Sequence, residues 1–178
     1  MNNPQASVDH SKSDDYRTIE QTMEKLSGGT RRLAAQLTTS ASFDSLWNVL
    51  TDYDRLNLYI PNLLSSKKIY QKNNNVHLKQ VGAQDFLGMK FSAEVTIDLF
   101  EDKALGLLKF ILIKGDFRKF EGSWKIQNIK NTSKNSLIYD LTVQGCQWMP
   151  IGMIEKRLKK DLSENLIAVD RQAKISNK

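Results

Sequence analysis

Between residues 31 and 143, apolar and polar positions mostly alternate, the pattern of strands with one covered face and one wet face. Leu33, Ala35 and Leu37 fall on one side of the first such segment, with Arg32, Gln36 and Thr38 on the other. Five or six further strands follow. Residues 63 to 71 and 76 to 85 flank Lys72-Asn73-Asn74-Asn75, a hairpin turn because asparagine tolerates positive φ. The alternation is cleanest over 91 to 99, where Phe91, Ala93, Val95, Ile97 and Leu99 face one way and Ser92, Glu94, Thr96 and Asp98 the other. Phe120, Gly122, Trp124 and Ile126 repeat it, as do Leu137, Tyr139, Leu141 and Val143. The exception is 105 to 113. There Leu108, Phe110 and Leu112 oppose Leu107, Ile111 and Ile113, so both faces are mainly apolar and the outer one calls for a cover, another subunit or an N-terminal arm.

Two segments carry a helical period instead. Ser42-Phe43-Asp44-Ser45 offers a helix start, since a serine hydroxyl accepts from a first-turn amide and Asp44 suits the positive helix end. Phe43, Leu46, Trp47 and Leu50 form its buried stripe, and Ile60-Pro61-Asn62 closes the connection that follows. After Pro150, Ile151, Ile154, Leu158, Leu162, Leu166, Val169 and Ala173 recur at spacings of three and four. A helix of about 24 residues spans ~36 Å. A strand of nine or ten residues reaches ~30 Å, so this helix can cross the whole covered face of a sheet. Residues 1 to 28 are polar and end in Ser27-Gly28-Gly29, which predicts a flexible arm ahead of one domain over 29 to 178. Within the arm, Ile19, Met23 and Leu26 are spaced for a short helix over 16 to 26. Gly82, Gly88, Gly115 and Gly122 inside strands suggest bulges or bends. The fold class that this order predicts is α+β: a curved antiparallel sheet wrapped around a long C-terminal helix, with two short helices after the first strand.

The run Ser40-Ala41-Ser42-Phe43-Asp44-Ser45-Leu46-Trp47-Asn48-Val49-Leu50-Thr51-Asp52-Tyr53-Asp54-Arg55, followed by Tyr59-Ile60-Pro61-Asn62, resembles the START-like (SRPBCC) superfamily. That superfamily is also described as helix-grip or birch-pollen-allergen-like, and the likeness is to its polyketide cyclase/dehydrase and coenzyme-Q-binding branch. Gly122-Ser123-Trp124-Lys125-Ile126 and Pro150-Ile151-Gly152 extend it, and it covers residues 31 to 173. On residues alone, the inward faces describe a solid core equally well. The resemblance implies a cavity between sheet and helix that holds an apolar ligand. The residues it would engage are Phe91, Ala93, Val95, Ile97, Phe110, Leu112, Trp124, Tyr139 and Leu141 from the sheet, with Ile154 and Leu158 from the helix. Tyr139 and Trp124 would each offer one polar contact. The function so implied is carriage of an isoprenoid quinone, lipid or pigment precursor. The alternatives are a cyclase/dehydrase-like enzyme with Tyr139 as its acid, and a ribosome-associated interaction protein of the same superfamily.

Composition narrows the chemistry. One cysteine, Cys146, permits no disulfide within the chain, and with only His10 and His77 beside it a Cys/His zinc site lacks converging ligands. No metal and no cofactor is called for. No apolar run approaches the ~20 residues of a membrane-spanning helix, and Met1 to Asp15 lack the apolar core of a secretory signal, which predicts a cytoplasmic protein. The net charge is +6, yet residues 1 to 29 carry five acids against three bases, so the remaining body is about +8. A basic body admits transient contact with an anionic membrane surface or the ribosome, and the doubly apolar strand admits a homodimer. Lys156, Arg157, Lys159 and Lys160 read as the solvated face of the last helix. His77 shares a side with Lys79 and faces solvent, Cys146 reads as a small loop residue, and Asp52 and Asp54 read as capping groups at a helix end. No acid/base pair stands out on the inward faces, which favours binding over catalysis.

Overall fold

A computed structural model describes residues 19–86, 89–146 and 151–176. In chain order the elements are β1 (Ile19–Lys25), β2 (Arg31–Thr39), α1 (Phe43–Thr51), β3 (Leu63–Lys72), β4 (Asn75–Phe86), β5 (Met89–Asp102), β6 (Leu107–Gly115), β7 (Phe117–Asn128), β8 (Asn135–Gly145) and α2 (Ile151–Ile175). Short 3-10 turns occupy Ser27–Gly29 and Tyr53–Leu58. The eight strands form one antiparallel sheet in the order β1-β2-β8-β7-β6-β5-β4-β3, with β3 to β8 a meander of hairpins and α2 against the concave face. This is the helix-grip arrangement, and the order of elements carries it.

The local chemistry explains why the elements lie where they do. Ser42 caps α1, its Oγ accepting from Ser45 N at 3.1 Å, and Leu46, Trp47, Val49 and Leu50 are buried. Between β3 and β4 the turn is two residues, Asn73 and Asn74, and Asn73 has φ 52°. The sheet curls where glycine permits it. A Cβ on Gly122 would collide with the Asp140 carbonyl oxygen of β8 and with the Phe110 ring of β6. Gly115, at φ 153°, sits beside the bulge between Thr96 and Ile97, and a Cβ there would strike the Glu94 carbonyl. Pro150, Gly88 and residues 1–18 lie outside the described residues.

The segment expected as an arm is part of the sheet from Ile19 on. Residues Ile19 to Lys25 form no helix; they pair with β2 in register from Ile19↔Leu37 to Lys25↔Arg31. A spacing of four is common to both periods, since it is about one helical turn and also two strand repeats, so Ile19 and Met23 fit either. The strand wins because an edge of β2 is free to pair, and both residues then pack on the core. From β1, Gln21 Nε2 donates to the Lys159 carbonyl of α2 at 2.7 Å, and Lys25 Nζ lies 3.6 Å from Glu155. Arg31 Nε donates to the same Glu155 carboxylate at 2.6 Å, a contact that holds its pKa below the ordinary range.

Strand β6 is apolar on both sides as expected, with Ile111 54% and Ile113 48% exposed. The described part of the expected arm does not cover them, because β1 lies at the far edge of the sheet beside β2.

Candidate ligand cavity

Concave-face residues of β4 to β8, the segment 50–63 and α2 between Arg157 and Val169 enclose a cavity of about 300 Å³ that opens to solvent. Nine of the residues expected to meet a ligand line it: Phe91, Ala93, Val95, Ile97, Phe110, Trp124, Tyr139, Leu141 and Leu158. Leu112 does not. The β6–β7 pairing ends at Ile111↔Glu121, so Leu112 lies where β6 diverges from β7, and it packs half-buried against the core instead. Ile154 belongs to α2, but its side chain lies outside the described residues.

One wall is aromatic. Trp124 and Tyr139, paired across β7 and β8, stack at 4.0 Å between centroids and 10° between planes. Phe110 lies 6.4 Å from Tyr139 and 5.5 Å from Phe120, and Phe117 lies 5.4 Å from Phe120. A register shift between Phe117 and Lys119 turns Phe117 inward too, which simple alternation does not foresee. Leu50, Tyr53, Leu56 and Ile60 make the wall opposite. The Tyr53 hydroxyl is tied off, donating to Glu101 Oε1 at 2.6 Å, and burial raises its pKa.

The third wall is polar. Arg157, Asp161 and Asn165 recur every four residues on α2 and line the cavity beside Leu158 and Leu162. Arg157 Nε is 3.1 Å from Asp161 Oδ1, and Asn62 Nδ2 donates to the same oxygen at 3.4 Å. Burial pushes the Asp161 carboxyl above its ordinary value, against the opposing pull of Arg157. Burial likewise raises the Tyr139 hydroxyl, with the nearby Asp161 charge adding to it. The basic cluster of the last helix therefore divides. Lys159 and Lys160 are exposed, whereas Arg157 turns its head to the cavity. Asp161 also supplies the inward acid that the sequence did not reveal, in the same hollow as Tyr139. The spacing of 157, 161 and 165 alongside a leucine stripe is the signal that could have exposed it.

The remaining conspicuous groups stand apart from the cavity. His77 lies on the outer face, its Nε2 3.7 Å from Asp98 Oδ1 and its ring 4.7 Å from that of Tyr70. Cys146 is a half-buried free thiol after β8. Asp54 Oδ1 accepts from Lys68 N at 2.8 Å, and Asp52 lies 3.6 Å from Arg55 Nη1. Among the described residues no group of three potential metal ligands converges, and no helix is long and apolar enough to cross a membrane.

Solved structures share this architecture. A STAR-related lipid transfer protein from Xanthomonas axonopodis superposes with a TM-score of 0.73 at 11% identity, over 88% of this chain and 93% of that one. The Zhui aromatase/cyclase from a Streptomyces species gives 0.70 at 15% identity, over 84% and 96%. Human StAR-related lipid transfer protein 5 gives 0.72 at 5% identity, over 90% and 84%. At such identities the likeness is one of fold. No curated protein matches the chain in sequence. The profile of one family, polyketide cyclase / dehydrase and lipid transport, matches residues 39–170, from the end of β2 to the buried turn of α2, and the chain belongs to that family.

Proposed function

We propose that this protein binds one apolar small molecule in the cavity and carries it without transforming it. The observation behind this reading is the hollow itself: about 300 Å³, walled mainly by leucine, phenylalanine and stacked Trp124–Tyr139, and open on one side. That volume is at the small end of the ~300–1,000 Å³ usual for small-molecule pockets, which suits a single-chain or compact polycyclic molecule of isoprenoid, lipid or pigment-precursor type. An empty apolar hollow forfeits dispersion contacts that an occupant restores. The names of two similar structures, lipid transfer proteins, accord with this reading. The nine lining residues named above are the proposed contacts, and exposed Lys159 and Lys160 give the carrier a basic surface toward an anionic membrane.

Ala93 is the small member of the β5 row, so Ala93→Trp would fill the hollow. Uptake of a fluorescent apolar probe is then lost while the folded circular dichroism signal persists, at the ~1–3 kcal/mol typical of overpacking. Glu94→Ala, which removes only an exposed ion pair with Lys79, leaves both properties in place. The reading is overturned if the parent protein takes up no apolar probe and native mass spectrometry of fresh protein finds none bound.

A second reading, a cyclase/dehydrase-like enzyme, is favoured by Asp161 and Tyr139 on one cavity. A buried carboxyl whose pKa is raised keeps its proton to higher pH than an ordinary one and can pass it to a substrate. Turnover of a polyketide-like substrate that Asp161→Asn abolishes, with probe uptake intact, supports this second reading over the first.

A further inference from the structure

The guanidinium of Arg157 lines a mainly apolar hollow and is poorly matched by its surroundings. Its Nε lies 3.1 Å from Asp161 Oδ1 without an aligned hydrogen bond and is sealed inside the wall. Its Nη1 and Nη2 have no hydrogen-bond partner among the described residues either, and they are not sealed off. The arginines of β2 are held quite differently. Arg31 donates from Nε to Glu155 at 2.6 Å and from Nη1 to the Thr30 carbonyl at 2.9 Å. Arg32 grips Asp140 with Nε at 3.2 Å and Nη2 at 2.9 Å. With its side chain only 24% exposed, Arg157 is a cation whose outer fork lacks an acceptor.

Charge and shape narrow that acceptor. The parallel N–H groups of Nη1 and Nη2 match the two oxygens of a carboxylate, and such charge-assisted bonds are about twice as strong as neutral ones. A phosphate carries more charge and calls for further cations, whereas Arg157 is the one cationic side chain among the described residues that line the cavity. Asp161 need not oppose an arriving anion. Burial already favours its uncharged form, and a second carboxylate favours it further, the proton coming from solvent. The other charged or titratable groups acting with it are Lys160 and Glu164 on α2 and Tyr139 on β8.

We infer that the occupant is an amphiphilic monocarboxylate, its apolar body along the Trp124–Tyr139 wall and its two carboxylate oxygens accepting from Nη1 and Nη2 of Arg157. The ester or alcohol of the same apolar body lacks the charge that the fork fits. The inference rests on the carrier reading and specifies its ligand class.

The test is displacement of a fluorescent apolar probe from the full chain, at neutral pH, by decanoate, methyl decanoate and decanol. Decanoate is expected to displace the probe at about tenfold lower concentration than the ester or the alcohol. The acid-to-ester ratio is read within each protein, so a general change in probe affinity cancels. Arg157→Gln, polar but uncharged, brings acid and ester level. Arg157→Lys keeps the charge without the fork, so it lowers the preference, and it serves if the glutamine variant fails to fold. Equal or weaker displacement by the acid in the parent overturns the inference alone. So does an acid preference undiminished in the folded variants, which would trace it to the basic surface. Failure of the parent to take up the probe overturns the carrier reading and this inference with it.

Discussion

The two halves of α2 meet the same sheet in opposite ways. Leu166, Val169 and Ala173, in the second half, are all but fully buried. Asp170, 1% exposed, accepts a short hydrogen bond from Thr39 Oγ1 and lies 3.1 Å from Lys174 Nζ. In the first half, Arg157, Leu158 and Asp161 roof a hollow. The helix packs chiefly on α1, β2, β8 and β1, the wing of the sheet at one side, and stands off from β4 to β6. A cavity here needs no special residue at its centre. It needs a helix fastened to one wing of a curved sheet.

Truncation should tell the halves apart most sharply. Leu166→Ala leaves a void in packed surroundings and should cost about 2–5 kcal/mol in denaturant unfolding, with probe affinity little changed in the folded fraction. Leu158→Ala merely enlarges a space that already exists. Its cost should be about 1 kcal/mol or less, with a clear change in probe affinity, and equal costs for the two would show that both halves are solid.

Removing residues 1–26 tests the fastening. The deletion strips β1 from β2, together with the Gln21 and Lys25 contacts to α2. Unfolding free energy should fall by more than about 1 kcal/mol, and the bared β2 edge should promote aggregation measurable by light scattering. An unchanged unfolding midpoint would mean that β2, β8 and α1 alone hold the helix.

The smallest effect is electrostatic and belongs to the hollow half. Asp161 has its pKa raised in the folded protein, by burial first, so between its ordinary value of 3.8 and the raised one the folded state binds more protons than the unfolded state. Its contribution to stability therefore falls as pH rises through that window. Asp161→Asn should flatten this slope in urea titrations run at several pH values. A slope unchanged in the variant would place the titration elsewhere.

Much of this was legible from periodicity because the relevant faces obey it. Phe91, Ala93, Val95 and Ile97 reach the cavity by strict alternation along β5, and the last helix follows from its three-four spacing. What was hidden depends on local irregularity or on distant partners. Phe117 turns inward through a register shift, and Leu112 turns away where β6 leaves β7. Ile19 and Met23 fit helix and strand alike until the free edge of β2 decides. Arg157 looked like one of four solvated cations because, although Asp161 follows it by one helical turn, nothing in the charge run shows which member has a hollow beside it.

The strand order also fixes when each wing can form. Strands β3 to β7 pair with their sequence neighbours, so the hollow wing can zip up from local hairpins as the chain emerges from the ribosome. The solid wing has one local hairpin, β1 with β2, but cannot close that way. Strand β2 waits for β8, with Arg31 meeting Val143 and Thr39 meeting Asn135, and α2 comes later still. During synthesis the apolar lining of the cavity is therefore built before the helix that roofs it, and for that interval it is an open trough.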